Sequence, residues 1–557
     1  MRAPVTSPRP ACGERKRVRP WSALFGIALA LASSPGAQAL AADDPLPPHF
    51  TEETATAGVD AVYSGDWQYM VGGGAAAFDC AHDGRASVLI AGGDKPAKFF
   101  RNISKIGGPL KFKEETSGLE LDRMVGAYPI DIDGDGEVDL VVLRVGEVDL
   151  MRGMGNCRFE RANEAWGFRS QDAWWTSFSA MWEKGQKWPT LAFGSYVDRT
   201  KDIEPWGTCT QNLLYRPAVE NGAPQRRFAD PTPLRPSFCP LSMLFSDWNR
   251  SGTPSLRVSN DREYYEGGQE QMWRVAPGEA PRLYTEKEGW KFVRIWGMGI
   301  ASYDLTGSGY PDYFLTSMAD QKLQRLDKPA DGGALKPSYT DVAFPKGVTA
   351  AQPYAGGDVR PCTGWHAQFE DVNNMGRADL FVAKGNVSEM KDFAEKDPSN
   401  LLVQRSDGKF VEMGEKAGIV SFSQARGAAL ADFNLDGAID LLVVNRNAPA
   451  RIWRNDTPDI GHFIEIKAIE DGPNRDAIGG WIEVRVGDHV QRRELTIGGG
   501  HAGGQLTWTH FGLGVDGQAD VRVLWPDGEA SEWTTVDGDA FYLLKRGRAP
   551  ERWTPKE

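Results

Sequence analysis

Carboxylates stand at nearly every second position of Asp131-Ile-Asp133-Gly-Asp135-Gly136-Glu137-Val-Asp139-Leu140, and the ladder runs directly into the apolar stretch Val141-Val142-Leu143. A hard divalent cation takes about six to eight oxygens at roughly 2.3–2.6 Å, and a short loop pivoting on glycine can deliver most of them. The chemistry expected here is calcium binding. The loop is not an EF-hand, whose twelfth residue is a bidentate Glu leading into a helix. The twelfth residue here is Val142, in a β-branched run. The cation would sit in a loop that feeds a β-strand.

The pattern returns along the chain. Asp432-Phe-Asn434-Leu-Asp436-Gly437-Ala438-Ile-Asp440 is a near copy, and Asp304-Leu-Thr306-Gly-Ser308-Gly309-Tyr310-Pro-Asp312 keeps the spacing while replacing two carboxylates with hydroxyls. In Asp371-Val-Asn373-Asn-Met375-Gly376-Arg377-Ala-Asp379 the fifth-position oxygen is lost to Met375, and Asp247-Trp-Asn249-Arg-Ser251-Gly252 keeps one carboxylate. Asp79-Cys-Ala-His-Asp83-Gly84 and the stretch around Gly185 read as eroded copies that keep the turn and lose the metal. The residues expected to serve a cation are Asp131, Asp133, Asp135, Glu137 and Asp139; Asp432, Asn434, Asp436, Ala438 and Asp440; Asp304, Thr306, Ser308, Tyr310 and Asp312; and Asp371, Asn373, Arg377 and Asp379. Two or more calcium ions are expected, held best at 131–139 and 432–440.

Positioning such loops takes a repeated unit. Seven glycine loops (Gly84, Gly136, Gly185, Gly252, Gly309, Gly376, Gly437) alternate with seven aromatic starts (Phe50, Phe112, Phe159, Phe228, Tyr284, Tyr339, Phe410). Each unit spans roughly 50–70 residues, with short β-like runs and little helical periodicity, the size of a four-stranded blade. Seven blades arranged radially would hide their sheet edges. The fold expected is all-β: a seven-bladed β-propeller over 40–458 and a small β domain over 459–557, joined by a linker near Asp456-Thr-Pro-Asp-Ile-Gly461. In the tail, Ile482, Val484 and Val486 alternate with Glu483 and Arg485 before a Gly487-Asp488 turn, as a half-buried strand does. The glycine-rich Gly498-Gly-Gly-His501-Ala-Gly-Gly-Gln505 reads as a flexible loop, since no Gly-Lys-[Ser/Thr] follows to make a phosphate cradle.

The chain has 557 residues, 41% of them hydrophobic and 25% charged, enough for a large core and more than one domain. Arg15-Lys16-Arg17 and Arg19 precede the apolar run Trp21 to Ala32 and the small-residue pattern Ala37-Gln-Ala39, which reads as a signal peptide over 1–39 cleaved near Ala39. That run is shorter than the ~20 residues needed to span a bilayer. Removing it takes away six basic residues and Glu14, so the net charge moves from −13 to −13 − 5 = −18. Such a balance argues against nucleic acid and anionic membrane surfaces, and suits cation binding in the periplasm or outside the cell. Five cysteines then remain, Cys80, Cys157, Cys209, Cys239 and Cys362. In that compartment two disulfides and one free thiol are expected, with Cys209–Cys239 first and Cys80–Cys157 second on sequence proximity alone.

The repeated loop and its flanking strands resemble the FG-GAP/VCBS repeat, a calcium-binding propeller unit. Trp296-Gly-Met-Gly-Ile-Ala-Ser-Tyr-Asp304, Gly364-Trp-His-Ala-Gln-Phe-Glu-Asp371 and Leu441-Leu-Val-Val-Asn-Arg-Asn447 are similar to the cartilage acidic protein family and its bacterial relatives. That family ends in an ASPIC/UnbV domain, which Asn474-Arg-Asp-Ala-Ile-Gly479, Phe511-Gly-Leu-Gly514 and Trp525-Pro-Asp-Gly528 resemble. The tail departs from the family in having glycine before Gln505, where a Ser-Gln pair is usual.

No His-Glu-x-x-His, Gly-x-Ser-x-Gly or Cys-x-x-Cys motif is present. The seven His are scattered; His366, beside Trp365, reads as a packed histidine, with the alternative that it faces the propeller axis. The 19 Trp read as packing between blades. The residues therefore point first to a secreted or periplasmic calcium-stabilised module that binds a protein or carbohydrate. The rival is a periplasmic carbohydrate lyase or hydrolase working in the central channel. Long polar insertions, 196–216 and 351–360, are where function would concentrate.

Overall fold

The computed structural model describes residues 45–201, 208–262, 268–330, 332–388 and 390–556. The expected signal peptide, 1–39, lies outside the described residues.

Seven sheet units follow one another, each opening on a strand buried on both faces. These first strands are Ala75–Phe78, Met124–Ile130, Ala173–Met181, Pro240–Ser246, Gly297–Tyr303, Gly364–Glu370 and Gln424–Ala431. The second unit shows the plan. Met124–Ile130 pairs antiparallel with Asp139–Gly146, then come Asp149–Gly153 and Phe159–Arg161. The last unit takes its fourth strand from the other end of the described chain: Phe50–Glu52 pairs with Arg451–Asn455, Phe50 opposite Asn455. Each first strand packs beside the next in order, and Gln424–Ala431 packs beside Ala75–Phe78. The architecture is all-β and propeller-like.

Because sheet faces pack on neighbouring sheets, the strands read as continuous apolar runs such as Leu140-Val-Val-Leu143, all fully buried, rather than as alternation. Trp174, Trp175, Trp188, Trp365 and Trp453 are buried among the units, as the packing reading expects. Six of the seven first strands carry a register shift, for example between Met124 and Gly126 or between Gly297 and Ile300. A bulge at this position bends the strand and increases its local twist. The aromatic starts open the outermost strand in five units. Phe228 instead closes an inserted hairpin, Pro217–Glu220 with Ala223–Phe228, and Tyr284 follows the short strand Arg282–Leu283. The hairpin displaces the third unit's outer strand to Thr232–Leu234.

The C-terminal part is two four-stranded sheets around a separate core that includes Ile464, Ile482, Val484, Phe511, Val521 and Val523. His462–Ile469 pairs parallel with Ala540–Lys545 and antiparallel with Thr509–Gly514. The stretch near Asp456–Gly461 does not hold this domain away from the repeats; the two make one compact unit. The Gly461 N–H donates to the Asn373 carbonyl, so the connection itself is docked. Both disulfides form as paired from the sequence, Cys80–Cys157 and Cys209–Cys239, and Cys362 is free and buried.

Candidate metal loops and the segment that fills the axis

The six aspartate-led loops share one construction. The first Asp of each accepts the backbone N–H of the glycine five residues on: Asp79 from Gly84, Asp131 from Gly136, Asp247 from Gly252, Asp304 from Gly309, Asp371 from Gly376 and Asp432 from Gly437, at 2.6–3.0 Å. A second N–H, three or four residues on, reaches the same carboxylate. All these glycines, and Gly185 in the seventh loop, have φ between +74° and +92°, which side-chain-bearing residues rarely adopt. The loops that keep few metal oxygens thus keep the turn.

The ninth-position aspartates face inward and also hold backbone. Asp139 accepts the N–H of Ile132 and Gly153, Asp379 those of Val372 and Gln404, and Asp440 those of Phe433 and Asn455, all at 2.8–3.1 Å. Asp312 instead pairs with Arg325 at 3.0 Å.

The 131 loop draws three carboxylates together. One oxygen from each of Asp131, Asp133 and Asp139 lies within 4.8 Å of the others. Burial pushes Asp131 up to about 7, with Asp476 of the C-terminal domain adding like charge, and drives Asp139 well above the usual carboxylate range. Arg152 supplies some positive charge, 2.9 Å from both Asp133 and Asp135. Glu137 lies outside this cluster and reaches His82 at 2.9 Å.

In the 432 loop, burial raises Asp432 and Asp440 well above their usual range, with Glu465 and Asp436 as added negative neighbours. Asn434 is fully buried; its Nδ2 donates to Asp436 and to the Gly108 carbonyl, while its Oδ1 has no partner. An orphaned buried oxygen beside crowded carboxylates is a donor set that fits a hard cation, whose charge would reverse the upward shifts. Ala438 contributes an N–H to Asp436.

The other two loops are neutralised differently. In the 304 loop Asp304 meets Arg492 at 3.3 Å, the Ser308 hydroxyl points to the Tyr310 carbonyl, and burial pushes Asp312 up to about 6 against the pull of Arg325. Among the described residues Thr306 makes no side-chain hydrogen bond within this set. In the 371 loop Asp371 holds the N–H groups of Met375, Gly376 and Arg377, Asn373 accepts the Met375 N–H, and burial raises both Asp371 and Asp379.

The C-terminal domain rests on these loops. Lys467 lies 3.5 Å from Asp79, and Trp508 donates its Nε1–H to the Gly84 carbonyl. Arg475 donates to the Gly136 carbonyl at 2.6 Å, Glu494 accepts the Asp247 N–H at 2.6 Å, and Phe463 packs on Gly437. At the 371 loop, His510 contacts Asn374 at 2.7 Å.

The glycine-rich segment expected to be a flexible loop is among the best-held parts of the chain. Ile497 bridges Ala180, Gly498 bridges Leu244, Gly500 bridges Ile300, Gly503 bridges Ala127, and Gln505–Leu506 adds a parallel strand to Ala77–Phe78. It therefore runs across the first strands of five units, at the axis around which they are arranged. Glycine gives it the slimness to enter: a Cβ on Gly503 would stand 2.1 Å from the Ala75 carbonyl oxygen. His501 is fully buried at the tip; its N–H donates to His366 Nδ1 at 3.1 Å and its Nε2 accepts the Gly72 N–H at 3.3 Å. Beside it, the buried Arg426 stands 4.1 Å over the Trp365 ring and donates to the carbonyls of Met70, Gly385 and Asn386. Burial lowers His366 to about 4 and His501 to about 3, so both are neutral at pH 7. His366 is thus packed and axis-facing at once, and its axial partner is the chain itself. A cavity of about 280 Å³ lies beside the segment, bordered by Tyr128, Asp131, His366, Asp476, Arg493 and Glu494.

The sequence reading missed His501, His510, Arg426, Glu465 and Asp476. The glycines around His501, read there as a flexible loop, are the signal in the sequence for a close backbone approach.

Comparison with known proteins matches residues 371–443 to the FG-GAP-like repeat and residues 470–551 to the ASPIC and UnbV domain. The chain is 43% identical over 164 residues to human cartilage acidic protein 1, covering 28% of this chain and 22% of that protein. To the Xenopus tropicalis protein of the same name it is 38% identical over 169 residues, 29% of this chain and 23% of that one. The chain thus aligns with less than a quarter of these relatives' length. Among solved structures, BBS1N in complex with ARL6DN superposes with a TM-score of 0.42 at 10% identity, covering 74% of this chain and 99% of that one. Among the described residues no helix is long and apolar enough to cross a membrane.

Proposed function

We propose that this chain, an FG-GAP-repeat protein with a C-terminal ASPIC and UnbV domain, is a calcium-stabilised seven-bladed β-propeller that serves as an extracytoplasmic binding module for a protein or carbohydrate. The observation that carries the reading is the 131 loop, where three carboxylates converge on one point within 4.8 Å. The 432 loop supports it with the orphaned Asn434 oxygen. Calcium there would supply charge neutralisation and rigidity, while the loop aspartates already hold the turns. Two disulfides fit an oxidising compartment outside the cytoplasm.

Strand direction says where a partner would dock. The aspartate loops join first to second strands and lie under the C-terminal domain. Of the insertion 196–216, the described residues 196–201 and 208–211 flank the connection from a second strand to the third strand Asn212–Tyr215, and 351–360 lies between a fourth strand and the next first strand, on the opposite face. That face is the one left to a ligand.

Elemental analysis of the purified mature protein, alongside melting with and without chelator, tests the reading. Two or more calcium ions per chain and a large chelator-induced loss of stability are expected. A stoichiometric transition metal, or no metal and no chelator effect, would overturn it.

A further inference from the structure

The C-terminal domain presents different charged side chains to different loops. At the 79 and 304 loops the domain presents a cation, Lys467 Nζ to Asp79 at 3.5 Å and Arg492 to Asp304 at 3.3 Å with the Gly307 carbonyl at 3.1 Å, and at the 247 loop it presents Glu494. At the 432 loop it presents a carboxylate. Glu465 lies in His462–Ile469, two residues from Phe463, whose ring packs on Gly437. It is buried, and its oxygen meets His510 Nδ1 at 3.1 Å. His510 Nε2 lies 2.7 Å from the Asn374 oxygen, and the Asn374 amide donates to the Gly437 carbonyl at 2.9 Å and the Gly461 carbonyl at 3.1 Å. An unbroken line of contacts thus joins Glu465 to the backbone of the 432 loop.

Buried Glu465 adds like charge to Asp432 and meets it from Asp436 and Glu370; Lys467 and Arg493 offset part of this from outside the loop, and a positive charge within the loop would relieve the rest. The loop has a place for such a charge, because the fully buried Asn434 Oδ1 lacks a partner there. We propose that the divalent cation of the 432 loop also seats the C-terminal domain, with Glu465 as the side chain through which the domain senses that cation. The inference rests on the calcium reading of this loop given above. Because His462–Ile469 and the glycine-rich segment belong to the same domain, calcium then governs how firmly residues 498–505 are kept at the axis.

Hydrogen exchange of the full mature chain in calcium and in excess chelator, with calcium counted by elemental analysis, tests this. In chelator the amides of 462–469 and 498–505 are expected to exchange at least ~10-fold faster, while those of Ser255–Asn260, far from any strong loop, keep their protection. Glu465→Gln is expected to bind the same number of calcium ions while this calcium effect shrinks to less than ~3-fold. Arg492→Ala is expected to loosen 498–505 equally in calcium and chelator, because its contact needs no ion. Equal protection of 498–505 with and without calcium, at a normal calcium count, would overturn the coupling and leave the calcium reading standing. An identical calcium count in the wild type and Asp432→Ala would instead overturn the calcium reading of this loop, and the coupling with it. Should Glu465→Gln not fold, the wild-type comparison alone decides, and loss of protection in one global step, Ser255–Asn260 included, overturns the coupling.

Discussion

One residue type does two jobs in the loops, and substitutions should separate them. Asp432 holds the turn through the N–H groups of Asp436 and Gly437 and would also hold a cation, whereas Asp79 holds a turn already faced by Lys467. With calcium at a hundredfold excess over its Kd, Asp432→Ala is expected to lose about 3 kcal/mol of calcium-dependent stability by mass action. Asp79→Ala should leave the calcium-dependent shift intact; melting with and without chelator reads both. The axial histidines set a pH dependence. His366 and His501 take up protons near 6.5 when unfolded but only near 4 and 3 when folded. Between those values the unfolded state binds more protons, so stability is full above pH 6.5 and falls as pH drops toward 4. Each histidine contributes up to about 1.4 kcal/mol per pH unit. Urea unfolding of His366→Gln/His501→Asn at pH 7 and pH 5 should show a smaller loss than the wild type.

At the scale of elements, the glycine-rich segment and the bulged first strands are made for each other. Gly126 leaves space that a Cβ would take from the Ala502 carbonyl, and Gly74 does the same at 1.8 Å. Neither φ is positive, so the need is for room rather than for backbone freedom. Gly126→Ala should therefore cost about 3 kcal/mol by overpacking against backbone. Gly517→Ala, where no atom lies within 4 Å of the new methyl, should stay within about 0.5 kcal/mol in thermal unfolding.

For the whole molecule, the C-terminal domain covers the loop face and sends its own chain into the axis, which is where the rival enzymatic reading had placed a substrate. Two covalent ties also brace the assembly. Cys80–Cys157 closes 77 residues between the first and second units, and Cys209–Cys239 closes 30 between the third and fourth. Reduction without denaturant is expected to lower stability by roughly 2–5 kcal/mol per bridge, read as a drop in Tm on adding a thiol reductant.

Local chemistry was legible in the amino-acid sequence wherever one short stretch carries it whole. The Asp-x-Asp-Gly ladders specify their turns through bonds spanning five residues, apolar runs such as Leu140 to Leu143 specify buried strands, and the repeat of loop and aromatic specifies a series of similar β units. The outer strand misplaced by Phe228 shows the limit even there, since an inserted hairpin shifts the strand without changing the motif, and Tyr284 falls one residue past the short strand Arg282–Leu283. What only the tertiary structure decided is everything that joins distant segments. Gly498 to Gln505 has no periodicity and few side chains to bury, His501 and Ala502 being the fully buried ones, so alone it reads as loose chain; it is held because the first strands of five units offer it backbone partners. Glu465, Asp476 and His510 likewise look like ordinary polar residues of an alternating strand or turn until the domain is set down on the acidic loops, where burial and neighbouring charge give them their role.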